Sequence, residues 1–204
     1  MQVLKRAFYE VHRRAVQIPR ASRVTDTFAR LAGSAESLLD VGAGDGEIAA
    51  EVARRLGAQR VLGVDVLVRP VTYIEVRSYD GERLPFEDEA FEVVTISDVL
   101  HHCARPNEVL RECLRVASRC VLVKDHFCYG PLSRALLWAL DVAGNAEAGV
   151  LVRGTYFSPA QWIEMVRDAG GLVAELEWPM QVHATPLRYV TRDEVQFAMR
   201  VEKG

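Results

Sequence analysis

The nine residues LDVGAGDGE at positions 39–47 narrow the possible folds of this chain more than any other stretch. They complete a short apolar run at 37–41 and lead into a helical pattern. The three glycines, Gly42, Gly44 and Gly46, let the backbone turn tightly and approach a ligand closely. A glycine loop between a strand and a helix predicts an open α/β sheet with a ligand at this turn.

The acidic residues of this loop argue against a dinucleotide ligand. A dinucleotide-binding loop needs glycine or alanine at the position that Glu47 occupies here. Asp45 and Glu47 also put two carboxylates where a pyrophosphate would meet the helix N-terminus. The loop therefore favours a phosphate-free nucleoside, and a tight turn without a ligand is the alternative.

Two further acidic residues fit a nucleoside. Asp65 closes the second apolar run, and a carboxylate there can accept hydrogen bonds from both ribose hydroxyls. Asp80 precedes Gly81 after a predicted third strand at 73–76, where it can accept from the exocyclic amine of adenine. An Asp-Gly pair standing alone would predict only a turn.

The rest of the chain alternates apolar runs with helical periodicity. We predict strands at 37–41, 60–66, 73–76, 91–97 and 120–124, and helices at 2–17, 22–32, 47–56, 106–117, 132–142 and 158–169. Two late strands, at 172–178 and 194–201, are joined without a helical pattern. This order predicts a Rossmann-like, doubly wound α/β fold with a mostly parallel sheet, helices on both faces and an antiparallel edge hairpin.

No proline-, glycine- or serine-rich linker divides the 204 residues, so we predict a single domain. Its expected parts are an N-terminal helical cap at 1–32, a ligand-binding core at 36–126, and a substrate-side insertion with the edge hairpin at 127–204. Half of the residues are apolar and 26% are charged, which excludes disorder as the main state.

The four cysteines form no C-x-x-C pair, and no metal site is predicted. Reduced cysteines and the absence of an apolar run of signal-peptide or membrane-span length lead us to expect a cytoplasmic protein without a transmembrane segment. The net charge of −3 makes nucleic acid an unexpected partner.

Taken in order, these motifs resemble the class I S-adenosylmethionine-dependent methyltransferases, in particular the small type-11 group that includes quinone-biosynthesis-like enzymes. The resemblance covers about residues 36–126. It is carried by DVGAGDG at 40–46, Asp65, Asp80-Gly81, LPF at 84–86, FEVV at 91–94, SDVLHH at 97–102 and RECLRV at 111–116.

This resemblance implies that the cofactor is S-adenosylmethionine, with S-adenosylhomocysteine as the product. It places the three loop glycines beside the methionine part, Asp65 at the ribose, and Ser97 or Asp98 near the sulfonium. The full set of implied cofactor-binding residues is Asp40, Gly42, Gly44, Gly46, Asp65, Val66, Asp80, Gly81, Ser97 and Asp98.

Histidines at strand ends are the candidates for proton transfer. Methyl transfer is an in-line displacement, so a general base is needed only if the acceptor loses a proton. His101 and His102 follow the fourth strand, and Asp125 and His126 follow the fifth, where open sheets bind ligands. We predict that His101 and His126 are catalytic; the alternative is that each packs or caps a helix.

The acceptor is predicted from the region of weakest resemblance. An apolar stretch at 132–152 favours a small-molecule or lipid-like acceptor. Seven basic residues among the first 30 allow peripheral contact with an anionic membrane surface. An RNA or protein methyltransferase and a non-catalytic S-adenosylmethionine-binding regulator are the alternatives. The oligomeric state is left open.

Overall fold

The computed structural model describes residues 18–145, 152–183, 188 and 191–204. The helices are α1 (Ile18–Ala32), α2 (Glu47–Leu56), α3 (Pro106–Val116), α4 (Pro131–Asn145) and α5 (Pro159–Asp168). The strands are β1 (Ser37–Val41), β2 (Arg60–Asp65), β3 (Val76–Ser78), β4 (Phe91–Ser97), β5 (Ala117–His126), β6 (Gly171–Glu177) and β7 (Gln196–Lys203). Two short 3-10 turns, Leu100–His102 and Asp193–Val195, follow β4 and precede β7.

The seven strands form one sheet in the order β3-β2-β1-β4-β5-β7-β6. The pairs from β3 to β5 are parallel, and β7 runs antiparallel to both β5 and β6. The predicted Rossmann-like sheet with an antiparallel edge hairpin is therefore confirmed. Val41 pairs with Val64 on β2 and with Ile96 on β4, so these three strands end at the same edge of the sheet.

Helices cover both faces of the sheet, as the sequence predicts. On one face, Phe28 of α1 and Val52 of α2 pack with Leu38 and Leu122. On the other face, Leu110 of α3 and Trp162 of α5 belong to the larger apolar core. Burial of these side chains drives the folding of both layers, at about 25 cal/mol per Å² of apolar surface.

Several predicted boundaries differ from those of the structure; the fifth strand, for example, begins at Ala117 instead of Cys120. The third strand occupies Val76–Ser78 instead of 73–76, because residues before Val76 make loop contacts: the Tyr73 amide donates to the Asp45 carbonyl. β3 is an exposed edge strand, so apolar alternation does not mark it. The second helix does not start at Ser22, because the described residues before it, from Ile18, are already helical.

The predicted helix at 2–17, and with it most of the basic segment expected at a membrane surface, lies outside the described residues. Within α1, Val24, Phe28 and Leu31 pack in the core. None of the helices in the described ranges is both long and apolar enough to span a bilayer.

Candidate active site

A cleft of about 630 Å³ opens at the edge of the sheet where β1, β2 and β4 end. Its walls are the loops that follow these strands and β3. Eight of the ten residues predicted to bind a cofactor line it: Gly42, Gly44, Asp65, Val66, Asp80, Gly81, Ser97 and Asp98. Motifs that are far apart in the sequence thus lie together in the wall of one cleft.

The glycine loop and Asp65 are joined by hydrogen bonds. The Gly44 amide donates to Asp65 Oδ2 over 2.8 Å, and the Leu67 amide donates to Asp65 Oδ1 over 2.9 Å. Each carboxylate oxygen therefore keeps a lone pair for a ligand. Gly42 has a φ of +73°, and a Cβ there would lie 2.3 Å from Val99 Cγ2, so only glycine fits this close approach.

Asp40 and Gly46 do not line the cleft. Asp40 is buried beneath the loop, where it accepts a hydrogen bond from Thr95 Oγ1 over 2.7 Å. Burial raises the pKa of the Asp40 carboxyl to about 7, which the Thr95 hydroxyl partly opposes. Gly46 is buried at the start of α2. Asp40 and Gly46 therefore lie beneath the surface of the glycine loop and stabilise its conformation.

Asp80 and Gly81, predicted to contact adenine, lie in the cleft wall. Asp80 Oδ1 accepts from the amides of Glu82 and Arg83 over 2.8 and 2.9 Å. These backbone donors lower the pKa of Asp80. Asp80 therefore organises a turn as well as facing the cleft.

Asp98 is the anionic centre of the cleft floor. It follows β4 with a φ of +56°, which turns its side chain toward Lys124. Lys124 Nζ lies 2.6 Å from Asp98 Oδ1, and Arg20 of α1 pairs with the other oxygen. Burial would raise the pKa of Asp98, but Lys124 and Arg20 outweigh it and hold the pKa well below its usual range.

His101, predicted to be catalytic, is buried and does not line the cleft. Its Nδ1 lies 2.7 Å from Asp125 Oδ1, and its Nε2 lies 3.3 Å from Asp141 Oδ2. Burial alone would lower the pKa of His101, but these two carboxylates raise it to about 10. A histidine that stays protonated cannot accept a proton from an acceptor at neutral pH.

His126, the second predicted catalytic histidine, also lies outside the cleft lining. Its Nδ1 is 3.3 Å from Asp125 Oδ1 and 3.5 Å from Asp98 Oδ1. Burial and the neighbouring Lys124 ammonium lower the pKa of His126. His126 thus lies between Asp98 and the His101–Asp125 pair and contacts both.

Of the histidines near the strand ends, His102 is the one that lines the cleft. Burial and the neighbouring His101 lower the pKa of His102, so the ring is neutral at neutral pH. Sequence reasoning considered His102 but did not select it over His101. Cys103 follows it in the cleft wall, and burial raises the pKa of its thiol to about 11, which makes it a poor nucleophile.

Several other cleft residues carried no motif that singled them out. They are Leu67, Arg69, Tyr79, Arg105, Val109 and Arg153. Tyr79 directly precedes the Asp80-Gly81 pair, which is the one sequence signal that could have identified an aromatic side chain in this cleft.

Comparisons with known proteins find similarity to methyltransferases. A family model described as a methyltransferase domain (Methyltransf_11) matches residues 39–119. A Thermotoga maritima protein named demethylmenaquinone methyltransferase is 31% identical over 91 residues, covering 41% of this chain and 40% of that protein. A ubiquinone/menaquinone biosynthesis C-methyltransferase of Idiomarina loihiensis is 30% identical over 96 residues, covering 39% and 37%. Less than half of each relative's length is therefore matched.

Solved structures share the fold at low sequence identity. A chain in a complex that contains the Haloferax volcanii methyltransferase activator Trm112 superposes with a TM-score of 0.69 at 15% identity, covering 97% of this chain and 95% of that one. A Burkholderia thailandensis 1,6-didemethyltoxoflavin-N1-methyltransferase, solved with its substrate and S-adenosylhomocysteine, gives 0.64 at 17%, covering 99% and 88%. A Mesorhizobium loti S-adenosylmethionine-dependent methyltransferase gives 0.65 at 14%, covering 88% and 95%.

Proposed function

We propose that this chain, whose residues 39–119 match a methyltransferase-domain family model, transfers a methyl group from S-adenosylmethionine to a small-molecule or lipid-like acceptor. The observation that carries the proposal is the pairing of the glycine loop with Asp65. Gly44 and Asp65 are hydrogen-bonded to each other in the wall of one cleft.

The cleft fits the nucleoside part of this cofactor. Because each Asp65 oxygen accepts one backbone N–H, each can accept one ribose hydroxyl as well. The apolar side chains of Val66, Tyr79 and Val99 line the same cleft and offer contacts to a purine. Gly44 has no heavy atom near its Cβ position, so a ligand can approach the backbone there.

Charge also favours a sulfonium over a phosphate. Asp65 lines the cleft, and a carboxylate there attracts the positive sulfonium and amino groups of S-adenosylmethionine. Asp45 and Glu47 stand at the N-terminus of α2, where they would repel a pyrophosphate. The same site would therefore bind a dinucleotide poorly.

The acceptor would lie beside the turn that follows β4, where Ser97, Asp98 and His102 line the cleft. The chain's contribution to catalysis would be alignment of the acceptor, the methyl group and the sulfur. In this proposal His101 and His126 act as positioning residues: through Asp125 and Asp98 they hold the floor of the site in a fixed charge state. The quinone-related names of the relatives support a small-molecule or lipid-like acceptor.

Calorimetry with S-adenosylhomocysteine tests the cofactor assignment. Asp65→Ala should weaken binding by about 1.5–3 kcal/mol, the range for hydrogen bonds to a charged group. Asp45→Ala is the matched control, because Asp45 belongs to the same loop but does not line the cleft. Unchanged affinity in Asp65→Ala, or tighter binding of NAD than of S-adenosylhomocysteine by the unaltered chain, would refute the assignment.

The acceptor class is tested by incubating the chain with cell extract and methyl-labelled S-adenosylmethionine. Label in the lipid or small-molecule fraction, lost in Asp65→Ala, is the expected result. Label confined to RNA or protein would contradict the proposed acceptor while leaving the methyltransferase assignment intact.

A further inference from the structure

Two neighbouring histidines beside the cleft leave ring nitrogens without partners. Within the part of the chain that the structure describes, His101 Nε2 and His102 Nδ1 are buried and make no hydrogen bond. His101 Nε2 lies 3.3 Å from Asp141 Oδ2, so a metal ion bound here would replace the proton that these two atoms hold between them. Buried polar atoms without partners are rare, so His102 Nδ1 in particular calls for a ligand.

The spacing of these groups is that of a metal site. One ring nitrogen of His101, one of His102 and a carboxylate oxygen of Asp141 all lie within 4.8 Å of one another. Ligands at about 2.0–2.1 Å from a tetrahedral ion are about 3.3 Å apart, which matches the His101–Asp141 distance.

The surroundings support these side chains as metal ligands. His101 Nδ1 lies 2.7 Å from Asp125 Oδ1, so its second nitrogen is oriented toward Asp141, as in carboxylate–histidine–metal arrangements. The Tyr156 hydroxyl donates to Asp141 Oδ2 and holds that carboxylate in place. Asp125 and Asp141 together also supply the negative charge that compensates a divalent cation.

We propose that His101, His102 and Asp141 form a binding site for a divalent transition-metal ion, such as Zn²⁺, beside the acceptor end of the cleft. Two imidazoles and one carboxylate suit Zn²⁺, Fe²⁺ or Co²⁺ better than Mg²⁺ or Ca²⁺, which prefer oxygen ligands only. Three protein ligands leave a fourth position open, which is the pattern of catalytic rather than structural zinc sites.

A second group, His101 with Asp125 and His126, also has metal-like spacing. It is the weaker candidate, because His102 of the first group lines the cleft, whereas none of the three residues of the second group does. Both groups contain His101. His102 belongs only to the first group and His126 only to the second, so variants of these two residues distinguish the groups.

The metal proposal rests on the proposed function in one respect: the ligand expected in the open position of the ion is the methyl acceptor. His102 lines the cleft next to Val99 and Cys103, so an acceptor oxygen in the cleft is within reach of an ion bound to His102. The acceptor class that fits is a molecule with a hydroxyl or carbonyl oxygen able to ligate the ion.

Titration of the metal-stripped chain with Co²⁺ tests the site through its visible absorption and through equilibrium dialysis. One equivalent should bind, and Zn²⁺ should displace it. His102→Ala should weaken binding about 100-fold, since the loss of even an outer-shell partner costs 10–100-fold. His126→Ala is the matched control and should bind with nearly unchanged affinity. Asp141→Asn provides a second variant, in case His102→Ala fails to fold.

No Co²⁺ binding by the unaltered chain, or equal binding by His102→Ala, would overturn the proposed site. Loss in His126→Ala with retention in His102→Ala would do so too, by assigning the ion to the second group. S-adenosylhomocysteine calorimetry on the same preparations separates the two proposals: intact nucleoside binding without metal binding refutes only the metal site.

Discussion

Lys124 Nζ lies 2.6 Å from Asp98 Oδ1, and the Lys124 side chain is only 1% exposed. The same ammonium donates to Gln196 Oε1 over 2.7 Å. β5 supplies the cation and the end of β4 supplies the anion, so the pair fixes the floor of the cleft. Burial lowers the pKa of Lys124, and Asp98 opposes that shift.

Lys124→Met should destabilise the chain by about 3–5 kcal/mol, because it leaves a buried carboxylate with Arg20 as its remaining cation. Lys203→Met is the matched control: Lys203 pairs with Glu89 at 2.7 Å, but both side chains are exposed. Its loss should cost about 0–1 kcal/mol. Urea unfolding of both variants measures the difference, and equal losses would show that the Lys124 pair contributes no more than a surface pair.

Gly44→Ala should separate ligand binding from stability. Gly44 and Gly57 have φ values of +59° and +76°, and a Cβ at either would meet nothing within 4 Å. Alanine at each should therefore cost a similar ~1–2 kcal/mol of backbone strain. Only Gly44 lines the cleft, so Gly44→Ala should weaken S-adenosylhomocysteine binding at least tenfold, while Gly57→Ala should not.

Thermal unfolding and calorimetry of these two alanine variants provide the readouts. Equal affinity in both would mean that the ligand does not approach the loop backbone at Gly44. That result would count against the proposed cofactor position without affecting the fold.

The local pattern of apolar residues and glycines in the sequence was sufficient to predict most of the fold. The strand, glycine loop and helix at 37–56 combine a change of period with residues that permit positive φ, so the sequence alone identifies them. The third strand was misplaced because β3 is a three-residue edge strand whose side chains are mostly exposed. At such an edge, backbone pairing decides the register, and the side-chain pattern carries little signal.

The charge network of the site could not be predicted from sequence. Arg20 and Asp98 are 78 positions apart, and Lys124 reaches Asp98 only because β4 and β5 are neighbours in the sheet. His101 and His102 are adjacent in a single 3-10 turn, so periodicity cannot tell which of them faces the cleft. That distinction depends on Asp125 and Asp141, which hold the His101 ring in the interior.

Asp40 predicts a specific dependence of stability on pH. The groups around its carboxyl are the Thr95 hydroxyl on β4, the Asp65 carboxylate on β2 and the buried Cys113 thiol on α3. Burial raises the pKa of Asp40 in the folded chain to about 7, above its ordinary value of 3.8. The folded state therefore holds a proton that the unfolded state has lost between these pH values, and stability falls as pH rises through that window.

Asp40→Asn should remove this dependence, because an amide keeps an oxygen for the Thr95 hydroxyl and does not ionise. At about 1.4 kcal/mol per pH unit, the unaltered chain should lose about 2 kcal/mol relative to Asp40→Asn between pH 5.5 and 8. The difference between the two urea unfolding curves isolates Asp40, because all other groups are common to both. Asp45→Asn, at an exposed position of the same loop, should run parallel to the unaltered chain. Parallel curves for Asp40→Asn as well would show that the Asp40 carboxyl ionises without cost in the folded state.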